Sequence, residues 1–507
     1  PLTSLIIRST QMNAGVTINA TDAIANSVAQ QIGFAAQPGT VVLAGNNSTF
    51  LGAVTIEPGA GLRVEGPLAL SGKNLTLNGG TLALVGDGDG TGGFEALAFN
   101  HNISVLGSST IAVGRAGTSY APRYTLAANK VSQISSLSLG RVTLSIANND
   151  NSSLRVAGAT TLNGVPTFNV NNGTASNQTD GLVLNGVVSG NASLVKAGSG
   201  TLVLGNTGNT FNGTSSFATT AASGTNSLTA ASTATLFVGQ PLSGSGIPAG
   251  TIVSSIVSGT EFTISNNLTG NNPFVTVTPL VQINGGILAV SGDGAFGNIG
   301  NQVRLNVNST AGQGLRAIGT FTIPGSRVVT LNQPNNVIEV SGGNTLTMGG
   351  AFQIPNVANN LFKRDRGTLV LTQSQPAWDG ILTIGQGVVR VSNAGVFGSA
   401  TGNTQVGNVS AALELTNNIT VSEPLIFTPG NNNTSNGIDA GGALRSVSGA
   451  NTWSGTIGFS GASSADGQPR AALIGVDSGS TLTVSGVITG SIATGGSGRG
   501  NWIGLTG

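Results

Sequence analysis

The sequence has no cysteine, which excludes disulfides, thiolate metal sites and cysteine nucleophiles together. Charge is scarce as well: Asp, Glu, Lys and Arg supply 7% of the 507 residues, where a globular enzyme carries about a quarter. The 19 basic and 18 acidic residues nearly cancel and are scattered, so no basic stripe exists to hold nucleic-acid phosphates. Aromatic residues make up only 4%, and the apolar residues are mostly Val, Leu and Ile. No run of about 18 apolar residues occurs, so no helical membrane span is expected.

What is present points one way. Glycine occurs 79 times, and hydrophobic residues reach 39% at a net charge of +1, which does not keep a chain expanded. Val, Leu, Ile and Thr favour strands, while Gly, Asn and Ser supply turn chemistry. The composition is that of many short strands joined by tight turns. Pro1 is not an initiator and no signal segment follows it, so the chain is expected to be part of a longer protein whose export signal and anchor lie elsewhere.

Three segments repeat. GTVVLAGNNSTFLG (Gly39 to Gly52), GTLVLGNTGNTFNG (Gly200 to Gly213) and GTLVLTQSQPAWDG (Gly367 to Gly380) share an alternating strand, a polar turn, an aromatic at one offset (Phe50, Phe211, Trp378) and a closing glycine. A second half-motif follows: TIGQGVVRVSNAGVFG from Thr383 matches QINGGILAVSGDGAFG from Gln282, with a looser counterpart in TIEPGAGLRV from Thr55. The front halves at Gly200 and Gly367 lie 167 residues apart and the back halves at Gln282 and Thr383 lie 101 apart, so 66 extra residues sit in the second copy. The expected organisation is therefore a solenoid over residues 1–214, an inserted small β module over 215–280, and a second solenoid part over 281–507. The insertion has short Val/Ile/Thr strands between Gly-Pro punctuation and is expected to project from one face. At roughly 20 residues per coil, the solenoid parts give ~22 coils and a rod of ~100 Å. One stretch, Thr21 to Gly33, has Ile24, Val28 and Ile32 at helical spacing; a short helix or a loop fits it.

The pattern GTLVL, then NTF-x-G, a Gly-centred strand and a terminal SNAGVFG resembles the autotransporter-associated β-strand repeat of bacterial surface proteins. The resemblance covers nearly the whole chain outside the insertion. It implies a right-handed parallel β-helix carried outside the outer membrane as a passenger domain, with adhesion, matrix or filament roles more often than catalysis. The insertion (GQPLSGSGIPAGT, then SGTEFTIS) resembles a small β module of secreted bacterial and phage-related surface proteins. The translocating β-barrel is not in this sequence, so export by that route is inferred.

Physical reasoning leads to the same all-β solenoid. Leu202/Leu204, Leu369/Leu371 and Val41/Leu43 can point inward with their neighbours outward. Small residues let coils stack closely, and asparagine at repeated positions can form ladders between coils.

Few residues offer chemistry. In VGDGDGTGGFE, Asp87 and Asp89, with Thr91 and Glu95, present oxygen ligands suited to Ca²⁺, although the twelfth loop position is Ala98 rather than an acid; a glycine-rich turn with solvated acids is the alternative. No other cofactor is expected. His101 is the only histidine, so a Ser/His/acid triad would have to use it, yet no serine near it has nucleophile-elbow context. Glycosidase or lyase chemistry needs carboxylates facing one groove, and the acids here are dispersed in sequence. LFKRDRG (Leu361 to Gly367) places Lys363 where Lys196 stands in the second copy, with Arg364, Asp365 and Arg366 reading as a solvated turn. Trp378, Trp453 and Trp502 could stack on sugars, but Trp378 holds a repeat position and is expected to pack. The expectation is a non-enzymatic structural or adhesive rod at the bacterial cell surface, whose partners are other copies of itself or cell-surface and extracellular-matrix components. A filament or sheath subunit and a carbohydrate-active β-helix are the alternatives.

Overall fold

Aliphatic residues at alternate positions produce strands of a few residues, each forming one side of a coil. The computed structural model describes residues 4–7, 16–18, 40–43, 53–70, 72–88, 95–115, 130–149, 151–172, 180–310, 312–399, 401–407, 410–428, 434–435, 437, 441–459, 471–489 and 502–507. The protein is an all-β solenoid of parallel sheets with one antiparallel module inserted. Its chain divides into two compact units, Pro1–Leu288 with Gly294–Gln302, and Ala289–Asp293 with Val303–Gly507. Among the described residues the only helical turns are the 3₁₀ segments Pro67–Ala69, Asp293–Phe296 and Ala394–Phe397. No helix among them is long and apolar enough to cross a membrane. The stretch from Thr21 to Gly33 lies outside the described residues.

In the first unit, Asn74–Asn78, Thr81–Val85 and Glu95–Ala98 make one three-sided coil. Asn102–Gly107, Ser109–Gly114 and Lys130–Ile134 stack on it in parallel register. Register partners are 20 residues apart at Leu369 and Val389 in the second unit, 35 apart at Ala96 and Val131, and 49 apart at Ser4 and Ala53, so many coils are longer than the ~20-residue expectation.

Parallel register converts alternation into columns. Val54, Leu75, Ile103 and Leu137 stack directly above one another, each at most 1% exposed. Leu346, Leu369, Val389, Leu413, Leu444 and Ile474 form the corresponding column in the second unit. Each such side chain contributes about 1.5–3 kcal/mol by leaving water.

The repeat motif is one coil closing on the next. Thr40–Leu43 pairs with Gly61–Glu65, and Thr368–Leu371 with Gly387–Val391. In the second copy the Ile287 amide donates to the Gly200 carbonyl at 3.2 Å, as Val388 donates to Gly367 at 3.1 Å. Ile287 follows Thr201 by 86 residues and Val388 follows Thr368 by 20, and the 66-residue difference is the excursion read from the sequence offsets. Phe211 and Trp378 are both buried, and their carbonyls accept from the amides of Asn298 and Ser399, each directly after the final glycine of the back half-motif.

The excursion is a six-stranded antiparallel sheet spanning Ser215–Thr220 to Phe274–Val277. Leu228, Leu236, Phe262, Ile264, Val275 and Val277 form its own core. It seats on the coils through the Val165 amide donating to Ala234 O at 3.0 Å and through buried Gln240, whose Nε2 reaches Ser193 Oγ at 3.2 Å.

Candidate functional site

Asp87 follows the strand Thr81–Val85, whereas its proposed partner Asp89, with Thr91, lies outside the described residues. Glu95, the other acid of that motif, is already engaged, accepting from the buried Lys130 Nζ at 3.0 Å. Among the described residues no three His, Asp or Glu side chains gather as metal ligands.

His101 is fully buried. Its Nδ1 lies 3.3 Å from the Lys73 carbonyl, its ring sits 6.2 Å from that of Phe99, and Nε2 is buried without a partner. Burial drives its pKa down to about 4, so it is neutral in the folded chain. Among the described residues neither ring nitrogen bonds a carboxylate or a serine hydroxyl. Trp378 is packed as its repeat position implies, with Nε1 donating to Asn359 O at 2.6 Å. Trp453 is fully buried edge-on to Phe397. Neither ring is available as a sugar platform.

Lys196 and Lys363 are the most closely matched polar groups of the repeat. Lys196 Nζ donates to the carbonyls of Ala197, Gly198 and Gly285 at 2.6, 3.0 and 2.9 Å. Lys363 Nζ donates to those of Arg364, Asp365 and Gln386 at 2.8, 2.6 and 3.1 Å. The acceptors correspond position by position, two from the lysine's own turn and one from the back half of the motif. The glycines that follow in the back half, Gly286 (φ 61°) and Gly387 (φ 71°), leave room for the ammonium: a Cβ there would lie 2.8 and 2.7 Å from Nζ. Burial pulls both lysines down to about 7, and around Lys363 the charges of Asp365 and Glu339 act against that. Three carbonyls also take up all three ammonium hydrogens, which favours the charged form. Each cage ties one coil to the next and is structural.

The dispersed acids do meet in space, but with arginines. In the second unit Arg316 and Glu339 are a buried pair at 2.5 Å, 23 residues apart. Arg390, Glu414, Arg445 and Asp477 form a ladder over successive coils, with contacts of 2.7, 3.8 and 2.6 Å. Sequence reasoning missed it by weighing acids against acids; opposite charges one coil apart were the available signal.

A concavity in the first unit lies where the module seats on the coils. It has a volume of about 300 Å³. Ser108, Arg141, Thr143 and Thr167 of the coils line one side, and Leu236, Phe237, Val238 and Ile256 of the module the other. Thr143 and Thr167 are register partners on adjacent coils. Nothing in the sequence reading singled out these residues, because the module's docking face cannot be read from strand alternation.

Comparison with protein-family models, curated proteins and solved structures finds no match for this chain. The likeness to the autotransporter-associated repeat therefore rests on its residues alone.

Proposed function

We propose that this chain is a surface-displayed structural and adhesive region of a large exported bacterial protein, of the autotransporter-passenger type. One observation carries the reading: the repeat motif is a coil-closing unit, with strand, lysine cage and the positive-φ glycine beside the cage (Gly286, Gly387) reproduced in the Gly200 and Gly367 copies. A motif spent on joining coil to coil serves display and reach rather than turnover. The scarcity of charge and the absence of cysteine suit passage through a narrow export pore in an unfolded state.

The test is to fuse the chain to a translocating outer-membrane barrel and express it in a bacterium with an outer membrane. Surface exposure is read by protease shaving, attachment by counting cells bound to immobilised matrix glycoproteins and glycans. Exposed chain that raises attachment over the barrel alone supports the proposal. Retention inside the cell, or degradation of a polysaccharide by the purified chain, overturns it. Concentration-dependent light scattering by the purified chain would instead favour a filament or sheath subunit.

A further inference from the structure

We infer that the cleft between the inserted module and the coils is a binding site for an acidic sugar, a saccharide bearing a carboxylate. The inference deepens the adhesive reading above and rests on it for its biological setting. Its chemistry is argued from the cleft alone.

The cleft is held open rigidly. The module has its own core, and buried Gln240 and the Val165–Ala234 hydrogen bond fix it against the coils, so the two walls keep their separation without a ligand. Concavities between packed bodies are where small ligands bind, and this one is at the lower end of their usual size, with room for a single sugar ring and its substituents.

Its lining sorts the possible ligands. Arg141 is exposed and makes no ion pair or hydrogen bond among the described residues, and no acid lines the cleft beside it. The single charged residue of the module, Glu261, accepts from Ser227 Oγ at 3.0 Å. A guanidinium free of partners favours a planar carboxylate, which it can hold with two parallel hydrogen bonds. Ser108 Oγ already accepts from the Thr143 amide at 3.0 Å, leaving its hydrogen to donate. The hydroxyls of Thr143 and Thr167 have no partner among the described residues, and the two residues face each other on neighbouring strands about 4.8 Å apart. Side chains on strands at this spacing can reach ring hydroxyls on alternate carbons of a sugar. On the opposite wall, the half-buried Phe237 offers a ring for the apolar C–H face of a sugar. One cation with no second basic residue is too little for nucleic acid or an anionic membrane.

The experiment uses the full 507-residue chain and titration calorimetry with glucuronate and N-acetylneuraminate, against glucose and N-acetylglucosamine as neutral controls. The expected result is binding of an acidic sugar at least about tenfold tighter than of the neutral ones, with that margin lost in Arg141→Gln. Phe237→Leu should weaken acidic and neutral sugars alike. Equal affinity for acidic and neutral sugars, an unchanged margin in Arg141→Gln, or tighter binding of an Asp/Glu-containing peptide each overturns the inference. If purified chain binds acidic sugars but barrel-displayed chain fails to promote attachment, the adhesive reading falls and the site stands.

Discussion

In the first unit, one outward column across the coils is neutral: Asn102 Nδ2 donates to Asn74 Oδ1 at 3.1 Å, and Ser136 Oγ to Asn102 Oδ1 at 2.7 Å. In the second, the column Arg390, Glu414, Arg445 and Asp477 alternates in sign. Both solve the same problem, which is to pair polar groups that register places side by side every coil. An amide ladder holds at any pH and salt, whereas an ionic ladder is tunable. The units also bury opposite titrating groups. His101 in the first is held neutral by burial with its pKa near 4, and Glu423 in the second, 4% exposed, is held protonated by burial with its pKa raised to about 8.

The lysine cages are where the two units should agree, and the largest effect is expected there. Lys196→Met and Lys363→Met each leave three buried carbonyls without their donor, costing on the order of 3–5 kcal/mol. Urea unfolding with hydrogen exchange resolved by unit should show each variant weakening its own unit to a similar extent. A unit that keeps its protection after losing its lysine would break the equivalence.

A smaller effect should separate the units by pH. For His101, folded near 4 and unfolded near 6.5, the unfolded state binds the extra proton between those values. Stability of the first unit therefore falls as pH drops from 6.5 to 4, by about 3 kcal/mol. For Glu423, folded near 8 against 4.5, the folded state holds the extra proton, so the second unit is most stable below 4.5 and weakens as pH rises to 8. The cost there is on the order of a few kcal/mol. Exchange protection followed from pH 4.5 to 8 should rise in the first unit and fall in the second. Movement in the same direction would sink the contrast.

The least effect is expected in the ladders. Glu414→Gln should destabilise the second unit by about 1 kcal/mol at low salt, because Arg390 is 42% exposed and Arg445 30%. Added salt should erase that difference. Asn102→Ala should weaken the first unit by about 0.5–1 kcal/mol with no salt dependence. A salt-dependent asparagine variant would mean that the neutral column is not acting through hydrogen bonds.

Much of the fold was legible in the sequence. Alternation such as Leu369/Leu371 marked the strands, and the matched offsets of the motif halves placed Lys196 and Lys363 at equivalent positions. Asparagine ladders were legible too, as Asn308, Asn335 and Asn360 illustrate with contacts of 2.9 and 3.0 Å. Coil length was not, because the spacing between register partners, 20 residues at Leu369 and Val389 but 35 at Ala96 and Val131, has no fixed period in the sequence. The Arg–Glu ladder was hidden for the same reason: its spacings of 24, 31 and 32 residues do not follow a fixed period. The cleft was invisible, since it depends on how Phe237 and Arg141, 96 residues apart, are brought together by docking.

The inserted sheet leaves and rejoins the solenoid at adjoining points. Ser215 stands opposite Val277, and the strands Leu194–Ala197 and Leu280–Ile283, on either side of the excursion, pair directly with each other. The coils thus stack as though the intervening residues were missing. Such a corner works as a socket: other folds whose ends lie close together can be exchanged there without altering the stacking beneath. A lineage could exchange one cassette there while the coils on either side keep their stacking.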